Sequence, residues 1–203
     1  MNKLYKEFLF FPDISILIAL IAMGFSISIW RGLTLGTLIF LFVGMLTFAI
    51  SEYLTHRFLF HLKAPKNPYF LKFLKRIHYD HHIDPNNLKL LFLPLWYSLP
   101  NFMIISLVFY SFSESSKYTI AFGTGLLVML LIYEWKHYVA HRPIKPKTNF
   151  GRWVKKVHIL HHYKNENYWF GVSTPFADYL FGTFKDEKEV ESSKTARDLE
   201  RRA

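Results

Sequence analysis

Two uncharged stretches near the start of the chain, Ile14–Trp30 of seventeen residues and Gly32–Ser51 of twenty, are separated by one arginine, Arg31. A helix needs about 20 apolar residues to cross a bilayer core, with a lower limit near 17, so the pair reads as a transmembrane hairpin. Leu90–Ser113 is a third charge-free run of twenty-four, broken by Pro94 and Pro100, and Tyr118–Tyr133 is a fourth of sixteen. The third is expected to kink or to start at the interface. The fourth reaches spanning length if its helix continues past Glu134 and Lys117 snorkels. A soluble fold would have to surround all four runs, and 203 residues supply too little chain for that.

Charge sets an orientation. Four spans put residues 1–13, 52–89 and 134–203 on one side, and these hold 23 of the 25 Lys and Arg, leaving Arg31 and Lys117 opposite. By the positive-inside rule the basic face is cytoplasmic, with both termini on it. The same distribution accounts for the net charge of +10 through topology and anionic headgroups and leaves no role for nucleic acid. Glu7 and Asp13 ahead of the first run, with no small-residue cleavage pattern after it, make that run a retained anchor. The expected fold is an all-α integral membrane protein with four transmembrane helices, about 14–30, 32–51, 90–113 and 118–135. Cytoplasmic inserts 52–89 and 136–184 would form a helical cap, making 1–184 a single domain, and 185–203 a charged, solvated tail with no chemistry.

The chain has no Cys, which removes thiolate metal sites, thiol nucleophiles and disulfides, and it has ten His, all within residues 56–82 and 137–162. They repeat at an offset of 80. Phe73-Leu74-Lys75-Arg76-Ile77-His78-x-x-His81-His82 aligns with Trp153-Val154-Lys155-Lys156-Val157-His158-x-x-His161-His162, and His61 aligns with His141; only His56 departs, falling one residue before the match to His137. Residues three and four apart share a helix face, so His78 and His82, His158 and His162, and His137 and His141 can converge on a metal. His56 and His61 are five apart, and a helix end or bend is expected between them. Ten neutral imidazoles are too many for one ion, so the arithmetic points to two metals with four or five His each, each half of the chain contributing a hairpin and five His. A metal carrier would instead line a pore among the spans with its ligands.

The series HX4H, HX2HH, HX3H, HX2HH in a four-span chain resembles the membrane fatty acid hydroxylase and sterol desaturase superfamily, and within it the fatty acid 2-hydroxylases (sphingolipid alpha-hydroxylases). The segments that carry the resemblance are His56-Arg57-Phe58-Leu59-Phe60-His61, His137-Tyr138-Val139-Ala140-His141, His158-Ile159-Leu160-His161-His162, Phe170-Gly171-Val172-Ser173 and Asp178-Tyr179-Leu180-Phe181-Gly182-Thr183. The resemblance runs from about Ser51 to Phe184. It implies a dimetal centre ligated by His56, His61, His78, His81, His82, His137, His141, His158, His161 and His162, and O2-dependent hydroxylation of a lipid acyl chain, at the 2-position of a fatty acid or ceramide-type acyl group. Carotenoid or sterol hydroxylation or desaturation at the same centre, or non-catalytic metal binding, are the alternatives. Eukaryotic members often carry a fused cytochrome b5 domain, and only residues 1–13 precede the first span here. Electrons are therefore expected from a separate b5-type protein or a ferredoxin and its reductase.

Inserting oxygen into an unactivated C–H bond needs a redox-active metal. Zinc, although well bound by imidazole, has no redox chemistry, so iron is expected in the working enzyme. Neutral ligands leave the cations uncompensated, which makes nearby carboxylates candidates: Glu52, Glu134, Asp80 and Asp84, with Glu134, Asp80 and Tyr133 the candidate catalytic neighbours. An acyl chain is expected in a groove between the spans, lined by Phe58, Phe60, Phe70, Phe73 and Phe92, with its head near the cap.

Overall fold

The computed structural model describes residues 3–202. In chain order its helices are α1 (Lys3–Leu9), α2 (Pro12–Trp30), α3 (Leu35–Thr55), α4 (Pro68–Leu74), α5 (Asp80–Ile83), α6 (Leu88–Leu91), α7 (Leu95–Ser113), α8 (Ser116–His141), α9 (Asn149–Tyr163) and α10 (Phe176–Leu180). A π-helical turn, His56–Phe60, extends α3, a second, Lys75–Tyr79, joins α4 to α5, and a short 3-10 turn covers Leu199–Arg201. There is no strand among the described residues.

Four stretches are long and apolar enough to cross a membrane: Pro12–Trp30, Leu35–Phe60, Leu88–Ser113 and Ser116–His141. The second begins later than Gly32 because Gly32 takes φ of +82° and stops α2. Thr34 and Thr37 then cap α3 reciprocally, the Thr34 amide donating to Thr37 Oγ1 at 2.6 Å and the Thr37 amide to Thr34 Oγ1 at 3.3 Å. The third run is interrupted at Phe92–Pro94, between α6 and α7, and carries Pro100 inside α7. The fourth continues through Glu134 to His141 as a single helix.

The chain divides into two compact units. The first comprises Met1–Ala49 and Leu93–Ile132. Small residues bring its helix backbones into direct contact. A Cβ placed on Gly44 would strike the Phe122 carbonyl, and one on Gly125 would strike the Leu41 carbonyl, so α3 and α8 touch backbone to backbone. Phe109 stacks on Phe122 at 4.4 Å, and Asp13 accepts a 3.4 Å hydrogen bond from the Leu95 amide at the start of α7. Met23, Trp30, Phe42, Met103 and Phe112 point outward and are exposed. So many large apolar side chains on one surface suit lipid rather than water.

The second unit comprises Ile50–Phe92 and Tyr133–Ala203, and contains all ten His. Its helices start at polar caps: Asn67 Oδ1 accepts from the Tyr69 and Phe70 amides at 3.0 Å each, and Thr148 Oγ1 accepts from the Gly151 amide at 3.0 Å. Lys155 of α9 closes the end of α8, its ammonium donating to the carbonyls of Val139, Arg142 and Ile144 at 2.8, 2.8 and 3.0 Å. That contact sets His158 beside His141. Residues 185–202 pack into this unit instead of forming the expected solvated tail, because their few apolar side chains, Val190, Ala196 and Leu199, are buried.

Candidate metal centre

The ten histidines form two buried groups of five that could hold metal ions. His56, His61, His78, His82 and His161 make the first, and His81, His137, His141, His158 and His162 the second, the ligand atoms of each group lying within 4.8 Å of one another. Each group therefore draws four ligands from one half of the repeat and one from the other. The middle histidine of each HX2HH motif, His81 or His161, crosses over. Each half supplies five His and each group holds five, as expected, and the exchange of one His between the halves is what the spacing did not give. The reason is angular: positions 78 and 82 share a helix face, while 81 projects about 100° away from 82 and meets the partner group.

The π-turn accounts for the irregular HX4H pair. The His61 amide donates to the His56 carbonyl at 3.2 Å, an i→i+5 bond that puts residues five apart on one face. Of the expected helix end or bend, it is the helix end that falls here, His61 following the turn's last residue, Phe60, and the one-residue mismatch between His56 and His137 is the extra residue of that turn.

In the first group the Nε2 atoms of His56 and His78 are 3.1 Å apart, those of His61 and His78 3.0 Å, of His82 and His78 3.0 Å, and of His161 and His61 3.1 Å. Ligands at right angles on an ion bound at about 2.1 Å stand about 3 Å apart, which matches this spacing. The Nδ1–H of His56 donates to the Phe170 carbonyl, that of His82 to the Ala196 carbonyl at 2.7 Å, and that of His161 to the Tyr168 carbonyl at 2.7 Å. Those bonds fix the tautomer and leave a bare Nε2 lone pair on each ring. Lone pairs aimed at each other across about 3 Å repel, and a cation among them removes the repulsion. In the second group the Nε2 atoms of His137 and His81 are 2.8 Å apart and those of His141 and His158 2.9 Å. His82 stacks on His162 at 4.1 Å and joins the two groups.

Burial pushes the imidazoles of His61, His78, His81, His158, His161 and His162 well below their ordinary pKa, and that of His82 down to about 3. All are neutral at pH 7, as ligands must be. Phe60 stacks on His78 at 5.2 Å, and Phe170 presents its ring to His56, His61 and His161 at 5.7, 5.3 and 5.4 Å.

The expected neighbours fare differently. Glu134 and Tyr133 are buried, and the Tyr133 ring lies 5.4 Å from that of His137. Asp80 stands outside both groups, half-buried, with its carboxylate 3.7 Å from Lys75 Nζ, and Asp84 is exposed. Glu52 holds the backbone of a loop: its carboxylate accepts from the Val172 amide at 2.6 Å, the Ser173 amide at 3.0 Å and the Ser173 hydroxyl. Of the phenylalanines expected to line a groove, Phe60 and Phe92 are buried in packing while Phe58 and Phe70 are exposed. Asp178 went unnoticed as a support. It accepts from the Phe170 and Gly171 amides at 2.8 Å each and from the Thr183 hydroxyl at 2.7 Å, and so aims the Phe170 carbonyl at His56.

Residues 41–183 match the model of the fatty acid hydroxylase family. The chain belongs to that family. Among its relatives, the fatty acid 2-hydroxylase of Rattus norvegicus is 34% identical over 152 residues, covering 72% of this chain and 39% of the relative. The ceramide very long chain fatty acid hydroxylase scs7 of Schizosaccharomyces pombe is 30% identical, covering 71% of this chain and 42% of the relative. The chain thus spans about two fifths of the length of these proteins. A solved structure of full-length scs7p, with only the hydroxylase domain visible, superposes with a TM-score of 0.72 at 27% identity over 88% of this fatty acid hydroxylase family member and 67% of that chain.

Proposed function

We propose that this chain is a lipid hydroxylase whose ten histidines hold two metal ions, iron in the working enzyme, and that it hydroxylates the 2-position of a fatty acid or of a ceramide-type acyl group. The observation that carries the reading is the pair of five-imidazole groups, each completed by a histidine from the other half of the repeat. Fatty acid and ceramide hydroxylases among the relatives support the substrate class. Bound iron would supply the activation of O2, one oxygen atom entering the C–H bond and the other leaving as water at the expense of two electrons and two protons. The chain's own residues hold the ligands neutral by burial, fix their tautomers through the carbonyls of residues 168, 170 and 196, and keep water from the rings with Phe60 and Phe170. The electrons come from a b5-type or ferredoxin-type donor. The cap and both termini lie on the cytoplasmic side of the membrane in this reading, which the distribution of basic residues supports.

Lipid mass spectrometry on cells expressing the chain, beside a His161→Ala variant, tests the reading. New 2-hydroxyacyl lipids that vanish in the variant are expected. Hydroxylated carotenoids or sterols would reassign the substrate, and an unchanged lipid profile with metal bound would sink the enzymatic reading.

A further inference from the structure

The segment Ser193–Arg202 has the composition of solvated chain, yet it is tied along its length to the first histidine group. At its start the Ser193 amide donates to the Lys164 carbonyl at 2.7 Å. The Thr195 hydroxyl donates to Glu166 Oε1 at 2.6 Å, the Ala196 carbonyl receives the Nδ1–H of His82 at 2.7 Å, and Arg197 donates to the Ile83 carbonyl at 3.1 Å. Glu200 pairs at 2.7 Å with Lys75, in the π-turn that carries His78. At the far end Arg202 Nη1 donates to the His61 carbonyl at 2.8 Å and lies 3.4 Å from His61 Nδ1, while Nη2 donates to Asn167 Oδ1 at 2.7 Å. Arg202 Nε stands 3.7 Å from the Glu166 carboxylate.

Glu166 is 1% exposed. A carboxylate so placed is costly unless charge and hydrogen bonds compensate it, and the contacts made to its Oε1, from Thr195 and Arg202, both come from this segment, while Oε2 meets no hydrogen-bond partner among the described residues. Holding Glu166 Oε1 therefore fixes where the segment lies, and that position brings a carbonyl to His82 Nδ1 and a guanidinium to the His61 carbonyl. Among the described residues, the segment's hydrogen bonds to histidines reach the His61 carbonyl and the His82 ring, both in the first group.

We propose that Ser193–Arg202 is a strap that positions His61 and His82, so that retention of metal in the first group depends on it and retention in the second does not. Arg202 and Glu166 are its positioning residues. The proposal rests on reading the two groups as metal sites, and the test separates the two ideas.

The full chain in detergent, stripped with a chelator, is titrated with Co2+ and followed by ligand-field absorption and by bound-metal analysis. The unaltered chain is expected to take two equivalents. In Arg202→Ala one equivalent keeps its affinity and the other weakens about 10–100-fold, with partial recovery in Arg202→Lys. The double variant Glu166→Gln/Arg202→Met removes the pair without stranding a buried charge, and is expected to lose the same single equivalent. Two equivalents at unchanged affinity, or both weakened alike, would overturn the strap. An unaltered chain that takes up no cobalt would overturn the metal reading, and the strap with it.

Discussion

Asp178 contributes no atom to either histidine group, yet two backbone amides and a hydroxyl converge on its carboxylate, and through Phe170 it aims His56. Replacing it with Asn turns one acceptor into a donor facing backbone N–H groups. Each amide left unsatisfied costs about 1–3 kcal/mol, so Asp178→Asn is expected to lower the denaturation midpoint and to release metal from the first group. Burial pushes the Asp178 carboxyl up, so the stability linked to its shift is full below the ordinary carboxylate range and is lost as pH rises through the raised value. The histidines act with the opposite sign. Their pKa values are depressed from 6.5, His82 to about 3, so stability is full above 6.5 and is lost as pH falls toward 3. With several imidazoles against one carboxyl the histidines dominate, and tryptophan fluorescence of the metal-free chain is expected to report unfolding on acidification below about pH 6.5. A flat profile between pH 7 and 4 would contradict this. The ligands themselves were legible, because ten His in two windows with no Cys leave few other readings. The work of Asp178 was not, since its partners are backbone amides, which every residue has and composition cannot reveal.

Among the elements, the first π-turn puts the two rings of HX4H on one face. Deleting Leu59 converts HX4H to HX3H, the spacing of His137 and His141, and is expected to replace the π-turn by an α-turn that keeps the two rings on one face and the following segment in register. Both metals are therefore expected to stay bound, and loss of either would show that the pair needs the wider π-turn. In the first unit, Gly125→Ala places a methyl against the Leu41 carbonyl, and the helices must part by backbone movement. A loss of about 1–3 kcal/mol is expected in detergent unfolding. The four long helices could be read directly from uncharged run length, and the structure moves their ends by a few residues through caps and a positive-φ glycine. Crossing of His81 and His161 could not be read, because helical spacing tells which side chains share a face and not which surface that face meets. The packing of residues 193–202 was hidden for a related reason: charged composition describes side chains, while the strap works largely through its carbonyls and amides.

At the scale of the whole molecule the lack of cysteine becomes an experimental opening, because any introduced thiol is unique. Leu33→Cys, in the short connection between α2 and α3, is expected to react with an impermeant maleimide only from the outside of intact cells. Lys66→Cys and Lys147→Cys, in the two cap loops, are expected to react only after permeabilisation. The reverse pattern would invert the orientation drawn from 23 of 25 basic residues. The exchanged histidines reach further still. A half-length chain bearing one hairpin and one set of five imidazoles could fill neither group by itself. If the two halves descend from one duplicated segment, the ancestor held its metals as a symmetric dimer, each subunit passing one imidazole to the other, and fusion of the copies turned a partnership between chains into a property of one.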